Sequence, residues 1–360
     1  MMPTTIIGIM SGSSLDGLDM ALCRFEEKRG IMDWNILKAQ TIPFPQDLLD
    51  LLIKATSLSG FDLMDLDAEF GKYIGLEISR WVDQFDLDVD YIASHGHTVF
   101  HEPAKGFTTQ IGSGAHIAYE TGIDTITSFR NADVAAGGQG APFAPVADLN
   151  LFPGYKGYLN LGGITNINVL TEDGEWNACD IGPCNQALNM LAQMMGMPFD
   201  IDGIMASKGT IKESIVDALL EMYPSMLGQP FGLSNATVQS TWIKYLKSSK
   251  ENPVDLLANA SEAIARLVVV YLSPLRNRNA KVLVTGGGAH NLHLMRRIKT
   301  LSNAYKISLE LPSKEIIDFK ECLLMAYLGY LTIEGISYGI SDVTGAEADT
   351  IGGALFKAFR

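Results

Sequence analysis

Apolar and polar residues alternate at the start of the chain in three runs, "TTIIGIM", "GLDMALCRFEE" and "WNILKAQTIPF", each ended by turn-forming residues. A period of two bounded by Gly, Asp and Pro predicts three consecutive strands of a meander. The period then lengthens. "PQDLLDLLIKATS" and "LMDLDAEFGKYIGLEISRWVDQF" repeat their apolar residues every three or four positions, as helices with one buried face do. "DYIASHGHTVFHEP" returns to β character. Strand runs alternating with helical ones predict an α/β fold.

The second half repeats the opening plan. "GYLNLGGITNINVLTEDGEWNACDIGP" reads as a strand, a Gly-rich turn, a second strand, a tight Glu-Asp-Gly turn and a third strand, and Pro183 marks the start of a helix through "CNQALNMLAQMM". A long helical pattern, "PVDLLANASEAIARLVVVYLSPLRN", leads to the strand "KVLVT", a third glycine cluster at Gly286, Gly287 and Gly288, and the helix "NLHLMRRIKTL". This echo between halves, with glycines at the same first hairpin, predicts a duplicated architecture. No linker or low-complexity segment separates the halves, so two packed lobes flanking a cleft are expected.

Composition narrows the partners. With 360 residues, 47% hydrophobic and 19% charged, the chain can bury a large core and should divide into two lobes. A net charge of -14 opposes binding to nucleic acid or anionic membrane, and the densest basic stretch, "LMRRIKTL", reads as one face of a helix. The start "MMPTTIIGIM" lacks a basic leader region, and no run is apolar for long enough to span a bilayer. A cytoplasmic location is therefore expected. Cys23, Cys179, Cys184 and Cys322 have neither C-x-x-C nor metal-site spacing, which fits isolated reduced thiols.

The three glycine turns carry the candidate chemistry. Glycines let a backbone approach a ligand closely, and the freed N–H groups and serine hydroxyls can donate to phosphate oxygens. An ordinary Gly/Ser hairpin would account better for one such turn alone. Two hairpins at the starts of duplicated halves, plus a Gly-Gly-Gly strand-to-helix turn, favour a triphosphate held between lobes. The chain has neither a Walker A loop nor the G-x-G-x-x-G turn of a dinucleotide fold. His95, His97 and His101 contain an H-x-x-x-H, but Thr98, Val99, Phe100 and Pro103 favour a strand or turn, where the helical metal-binding geometry fails.

Seven segments, "GIMSGSSLDGLD", "ASHGHTVFHEP", "TTQIGSG", "FRNADVAAGGQGAPFAP", "NLGGITNINV", "DIGPCN" and "VTGGGAHN", resemble in order the successive motifs of the anhydro-N-acetylmuramic acid kinases. The resemblance runs on to the C-terminal "DVTGAEADTIGGALFKAF" and covers essentially the whole chain. It implies a two-lobed actin/hexokinase-like fold, homodimers, and use of ATP and Mg²⁺. The implied reaction opens the 1,6-anhydro ring of 1,6-anhydro-N-acetylmuramic acid with water at C1 and phosphorylates O6, in peptidoglycan recycling. Lobe one is expected at residues 1–130 with 346–360, where "DTIGGALFKAF" would pack back as a helix; lobe two would be 131–345.

Residue by residue, the resemblance makes Asp133 the catalytic aspartate, in a loop that Gly137, Gly138 and Gly140 keep tight; a carboxylate suits the deprotonation of water. A turn-capping role is the alternative reading of Asp133. Gly12, Ser13, Ser14, Leu15, Asp16, Gly17, Leu18 and Asp19 would form the first phosphate loop, and Asp16 or Asp19 would hold Mg²⁺, which prefers hard oxygen ligands. Gly162, Gly163 and Asn166 would cover the phosphates from the second lobe, and Gly286, Gly287 and Gly288 would face the adenosine end. His95, Gln110, Arg130, Asp180, Asn185 and Glu321 match positions on the sugar side, with Arg130 as partner for the lactyl carboxylate or for a structural ion pair.

Some positions depart from the family pattern. Ser13 stands for the usual Thr, Ser128 for an acidic residue before Phe-Arg, Ser113 for Asp or Asn after Gln-Ile-Gly, and "QPFGLSNATVQSTW" lacks the expected Arg and Glu. These departures bear on the sugar, and they leave open a kinase for another anhydrosugar such as levoglucosan. A non-catalytic ATP-binding relative is the other alternative.

Overall fold

The computed structural model describes residues 3–12, 15, 17–223, 233, 235–338 and 341–359. By contact the chain divides into two compact units, Met1–Pro153 with Phe319–Arg360, and Gly154–Asp318. No described helix is long and apolar enough to cross a membrane.

In the first unit the three alternating runs form β1 (Thr4–Met10), β2 (Leu18–Lys28) and β3 (Ile31–Ile42), antiparallel from one to the next. β4 (Tyr91–Ser94) then pairs parallel to β1. β5 (His97–Glu102) and β6 (Phe107–Ile111) make a separate hairpin, and β7 (Thr125–Thr127) joins the main sheet parallel to β4. His97 and His101 thus lie on a strand, as the residues between them predict.

One helix, Gly60–Phe85, presents Leu66, Phe70, Ile74, Ile78 and Trp81 on one face to the core beneath this sheet. Each such side chain, fully buried, contributes about 1.5–3 kcal/mol. Ser59 starts the helix by accepting the N–H of Asp62, and Asp86 ends it in the left-handed region at φ 49°. A second helix, Lys314–Glu334, breaks its regular dihedrals at Phe319, where the chain enters the first unit. From there it packs so closely on β1 that a Cβ at Gly8 would lie 1.9 Å from the Cys322 carbonyl oxygen.

The second unit repeats the plan. β8 (Gly157–Leu161), β9 (Ile164–Leu170) and β10 (Trp176–Pro183) are antiparallel neighbours, and β11 (Ala280–Thr285) and β12 (Ile307–Glu310) follow as parallel ones. Both sheets therefore place the third, second and first strands of their meander in sequence and then add parallel strands beside the first. The helix Pro253–Tyr271 is apolar over most of its circumference because it runs through the core. Its buried Glu262 is matched by Arg266 and Arg297.

Two features differ from the sequence reading. The segment expected as a C-terminal helix holds a short strand, Ala354–Phe356, antiparallel to β7. Gly352 and Gly353 explain this: Gly353 sits at φ 88°, and a Cβ on Gly352 would lie 2.5 Å from the Phe129 carbonyl oxygen. The unit boundaries also fall away from residue 130. Residues 131–153 go with the first unit because Trp34 donates its indole N–H to the Leu151 carbonyl at 2.9 Å and packs edge-on against Phe152. Residues 319–345 join them through the contact of their helix with β1.

Candidate active site

The first glycine turn connects β1 to β2. Ser13, Ser14 and Asp16 of that loop lie outside the described residues. Leu15 turns the chain at φ 54° and donates its N–H to the Gly12 carbonyl at 3.1 Å. Gly17 has no room for a side chain, since a Cβ would meet the Ile42 carbonyl oxygen at 2.5 Å. Leu18 is wholly buried in the core. Asp19, half-buried, accepts the Thr41 hydroxyl at 2.5 Å.

Glu321 faces the charge of Asp19. Its side chain is exposed, but the protein crowded around it, and then Asp19, push its carboxyl above the usual range, against Arg130 and Lys320. The Asp19 carboxylate carries hard oxygen donors of the kind a divalent ion takes. Among the described residues no cluster of three or more metal-ligating side chains occurs.

A chain of hydrogen bonds organises the rest of this unit's polar residues. Arg130 donates Nε–H to His95 Nε2 at 2.9 Å and Nη1–H to the Gly140 carbonyl at 2.6 Å. His95 Nδ1, 3.0 Å from the Gly96 carbonyl, must then carry the ring proton, so the imidazole is neutral. Burial, reinforced by Arg130, lowers its pKa to about 3. Burial also lowers Arg130 to about 10, which leaves it charged, and Glu321 opposes that shift. Nη2 of Arg130 has no hydrogen-bond partner among the described residues. Gln110 stands apart from this chain, donating to Thr108 at 2.8 Å beside His101.

Asp133 is only 1% exposed, and both its oxygens are committed. Oδ2 accepts the Gly140 N–H at 2.6 Å and Oδ1 the Thr344 hydroxyl at 2.7 Å. Gly138 must lack a side chain here, because a Cβ would lie 2.3 Å from Asp133 Oδ2. The residue expected to activate water is thus closed in by its own loop.

In the second unit the other two glycine turns come together at Asn185. Its N–H donates to the Gly162 carbonyl at 3.1 Å and its side-chain amide to the Leu161 carbonyl at 3.0 Å, while a Cβ on Gly288 would lie 3.2 Å from its Oδ1. Asn185 therefore joins Gly162, Gly163 and Gly286–Gly288, whereas the sequence reading set it beside the sugar. Gly286, at φ 82°, leaves no space for a Cβ, which would meet Asn160 Oδ1 at 2.3 Å. Asn166 stands on β9 between Asn160 on β8 and Asp180 on β10.

Asp180 contrasts with Asp133. It lies where the β9–β10 register shifts, an irregularity of the kind that re-aims side chains beside functional sites. It is half-buried; Oδ2 accepts the Leu233 N–H at 2.7 Å, and Oδ1 has no hydrogen-bond partner among the described residues. Burial pushes its carboxyl above the usual range, with the Leu233 N–H pulling the other way. Asn160 and Thr344 were not singled out from the sequence; each lies in a quoted motif, but only the folded chain brings it to Gly286 or Asp133.

Two units that each carry an antiparallel meander extended by parallel strands, with glycine turns after the first strands, define a duplicated actin/hexokinase-like fold. The chain belongs to the anhydro-N-acetylmuramic acid kinase family, whose family model matches residues 4–358. It is 30% identical to the anhydro-N-acetylmuramic acid kinase of Pseudomonas syringae, covering 98% of this chain and 99% of that one. It is 33% identical to the protein of that name from Pseudomonas putida, with the same coverage. A solved structure of the activator of the 2-hydroxyisocaproyl-CoA dehydratase from Clostridium difficile with bound ADPNP matches at a TM-score of 0.42 and 13% identity, covering 92% of this chain and 96% of that one.

Proposed function

We propose that this chain is an ATP-dependent kinase that opens 1,6-anhydro-N-acetylmuramic acid and phosphorylates its O6, yielding N-acetylmuramic acid 6-phosphate and ADP in cell-wall recycling. Family membership supports the sugar and the nucleotide. Water adds to C1 as the C1–O6 bond breaks, a carboxylate takes the water proton, and O6 takes the γ-phosphoryl group as ADP leaves. A homodimer, implied by the motif resemblance, and a cytoplasmic location belong to the same reading.

The observation that carries the chemistry is the contrast between two aspartates. A general base needs a reachable oxygen and a pKa drawn toward the working pH. Among the described residues Asp180 Oδ1 has no hydrogen-bond partner, and burial raises its carboxyl; Asp133 has both oxygens taken. We therefore assign the base to Asp180 and give Asp133 a holding role. Arg130, whose Nη2 has no hydrogen-bond partner among the described residues, suits the lactyl carboxylate. The loop Gly12–Asp19, with Gly162, Gly163, Asn166, Asn185 and Gly286–Gly288, would bind ATP. Asp19, with Asp16, would hold a magnesium ion, which when bound would neutralise phosphate charge.

The test compares Asp180→Asn with Asp133→Asn. In Asp180→Asn, kcat should fall on the order of a thousandfold, within the range of general base catalysis, with ATP binding kept. Asp133→Asn should keep most of kcat and raise the KM for sugar. Wild-type turnover in Asp180→Asn would refute the assignment, and the reverse pattern would return the base to Asp133.

A further inference from the structure

Thr344 lies 211 positions from Asp133 in the sequence, yet its hydroxyl donates to Asp133 Oδ1 at 2.7 Å. Both residues are 1% exposed. The same C-terminal segment is stitched to the Asp133 loop by backbone. The Gln139 N–H donates to the Thr344 carbonyl at 2.8 Å, and the Glu347 N–H to the Ala136 carbonyl at 2.8 Å. Ala346 closes over Gly138, where a Cβ would come within 2.8 Å of its methyl.

These bonds continue to Arg130 and His95. Asp133 Oδ2 takes the Gly140 N–H at 2.6 Å, the Gly140 carbonyl takes Arg130 Nη1–H at 2.6 Å, and Arg130 Nε–H reaches His95 Nε2 at 2.9 Å. We propose that Thr344 is a positioning residue for the Arg130–His95 pair, acting through Asp133 and Gly140. The proposal rests on the sugar-kinase reading above only for the substrate that the pair meets.

The physical case is one of restricted freedom. A carboxylate held at one oxygen can rotate about its Cβ–Cγ bond, whereas bonds at both oxygens fix its plane and hence the peptide at Gly140. The Gly140 N–H goes to Asp133, and the Gly140 carbonyl, in the next peptide unit across the same Cα, receives the guanidinium. Loss of the Thr344 hydroxyl frees the Asp133 carboxylate to turn and lets Arg130 drift. A small misplacement of a substrate-orienting group costs far more in ligand recognition than in fold stability.

Thr344→Val removes the hydroxyl and keeps the shape; Thr344→Ser keeps the hydroxyl. The full chain should show sugar KM raised about tenfold in Thr344→Val, a loss of orientation without loss of the binding groups, with ATP KM unchanged and Thr344→Ser near wild type. The ¹⁵N resonance of His95 Nε2 should move toward the value of a free imine nitrogen in Thr344→Val and stay in place in Thr344→Ser. Unchanged sugar KM and unchanged Nε2 resonance in a folded Thr344→Val would overturn the proposal, as would an equal rise in KM for both substrates. If the wild type itself does not turn over the anhydrosugar, the kinase reading fails, and the Nε2 resonance alone decides the role of Thr344.

Discussion

Arg130 gives its Nε–H to Nε2 of His95 at 2.9 Å and so holds that imidazole as a neutral hydrogen-bond acceptor. A protonated ring would set two donors against each other at a side chain only 5% exposed, which is why burial and Arg130 together bring the His95 pKa to about 3.

Stability should therefore decline in mild acid. Between the ordinary histidine pKa near 6.5 and the folded value of about 3, the unfolded chain binds a proton that the folded chain refuses. The unfolding free energy rises with pH across that window and falls as pH drops, by about 1.4 kcal/mol per unit for one such group in mid-window. His97 and His101, both lowered by burial, act in the same direction. Urea titrations from pH 7 to pH 4 should show a shallower decline in His95→Gln than in the wild type; parallel curves would contradict the assignment.

Catalysis should carry a different pH signature. Burial holds the Asp180 carboxyl above the usual carboxylate range, so the acid limb of kcat/KM should lie above that of a free aspartate. Activity is present above that limb and lost as pH falls through it. His95, neutral until far more acidic pH, should contribute no limb near neutrality. A profile with an added histidine-like limb that disappears in His95→Gln would contradict this division.

Gly8 is a packing requirement of the first unit. Gly8→Ala places a methyl 1.9 Å from the Cys322 carbonyl oxygen and 3.0 Å from the Ala326 nitrogen. Backbone must move, at a cost on the order of 3 kcal/mol, the upper part of the usual overpacking range. Gly60, with nothing within 4 Å, is the control, and Gly60→Ala should be close to neutral. Equal unfolding midpoints for the two variants would be inconsistent with the contact between β1 and the Lys314–Glu334 helix.

Asp148 and Lys320 form an ion pair at 2.5 Å with side chains only 4% and 12% exposed. Burial raises the Asp148 carboxyl and Lys320 lowers it. Asp148→Ala removes a buried carboxylate from a mostly buried ammonium, which should cost up to about 3–5 kcal/mol, less where other groups keep the ammonium company. Asp148→Ala with Lys320→Met should recover much of the loss. Chemical denaturation of the single and double variants measures this, and full additivity would show that the pair is not coupled.

Gly286→Ala should weaken ATP binding with little effect on the binding of sugar. The residue needs φ 82°, and a methyl there would strike Asn160 Oδ1 and Leu161. Calorimetric titration with ATP and with sugar separates the two, and unchanged ATP affinity would remove Gly286 from the nucleotide site.

The parts of this architecture written in local pattern were legible from residues alone. Period-two runs around Ile6, Ile7, Leu22 and Val169 became strands, and the repeated meander gave both sheets. Glycine spacing placed all three turns, and Gly162, Gly163 and Gly286–Gly288 do meet, at Asn185. What stayed hidden depends on pairing between distant segments. Nothing near Asp133 signals that Thr344 will occupy its second oxygen, and nothing near Leu151 signals that Trp34 will draw residues 131–153 into the first unit. The final strand was misread because apolar "ALFKAF" fits either period, and Gly353 at positive φ decides against a helix.

The measurement that bears most directly on function is ADP release on mixing the protein with Mg·ATP and 1,6-anhydro-N-acetylmuramic acid, with levoglucosan and N-acetylmuramic acid in parallel and mass spectrometry of each sugar. ADP formation only with the anhydromuramic sugar, and a product heavier by one water and one phosphoryl group, is the expected result. ADP formed only with levoglucosan or N-acetylmuramic acid, or no ADP with any sugar despite ATP binding, would contradict it.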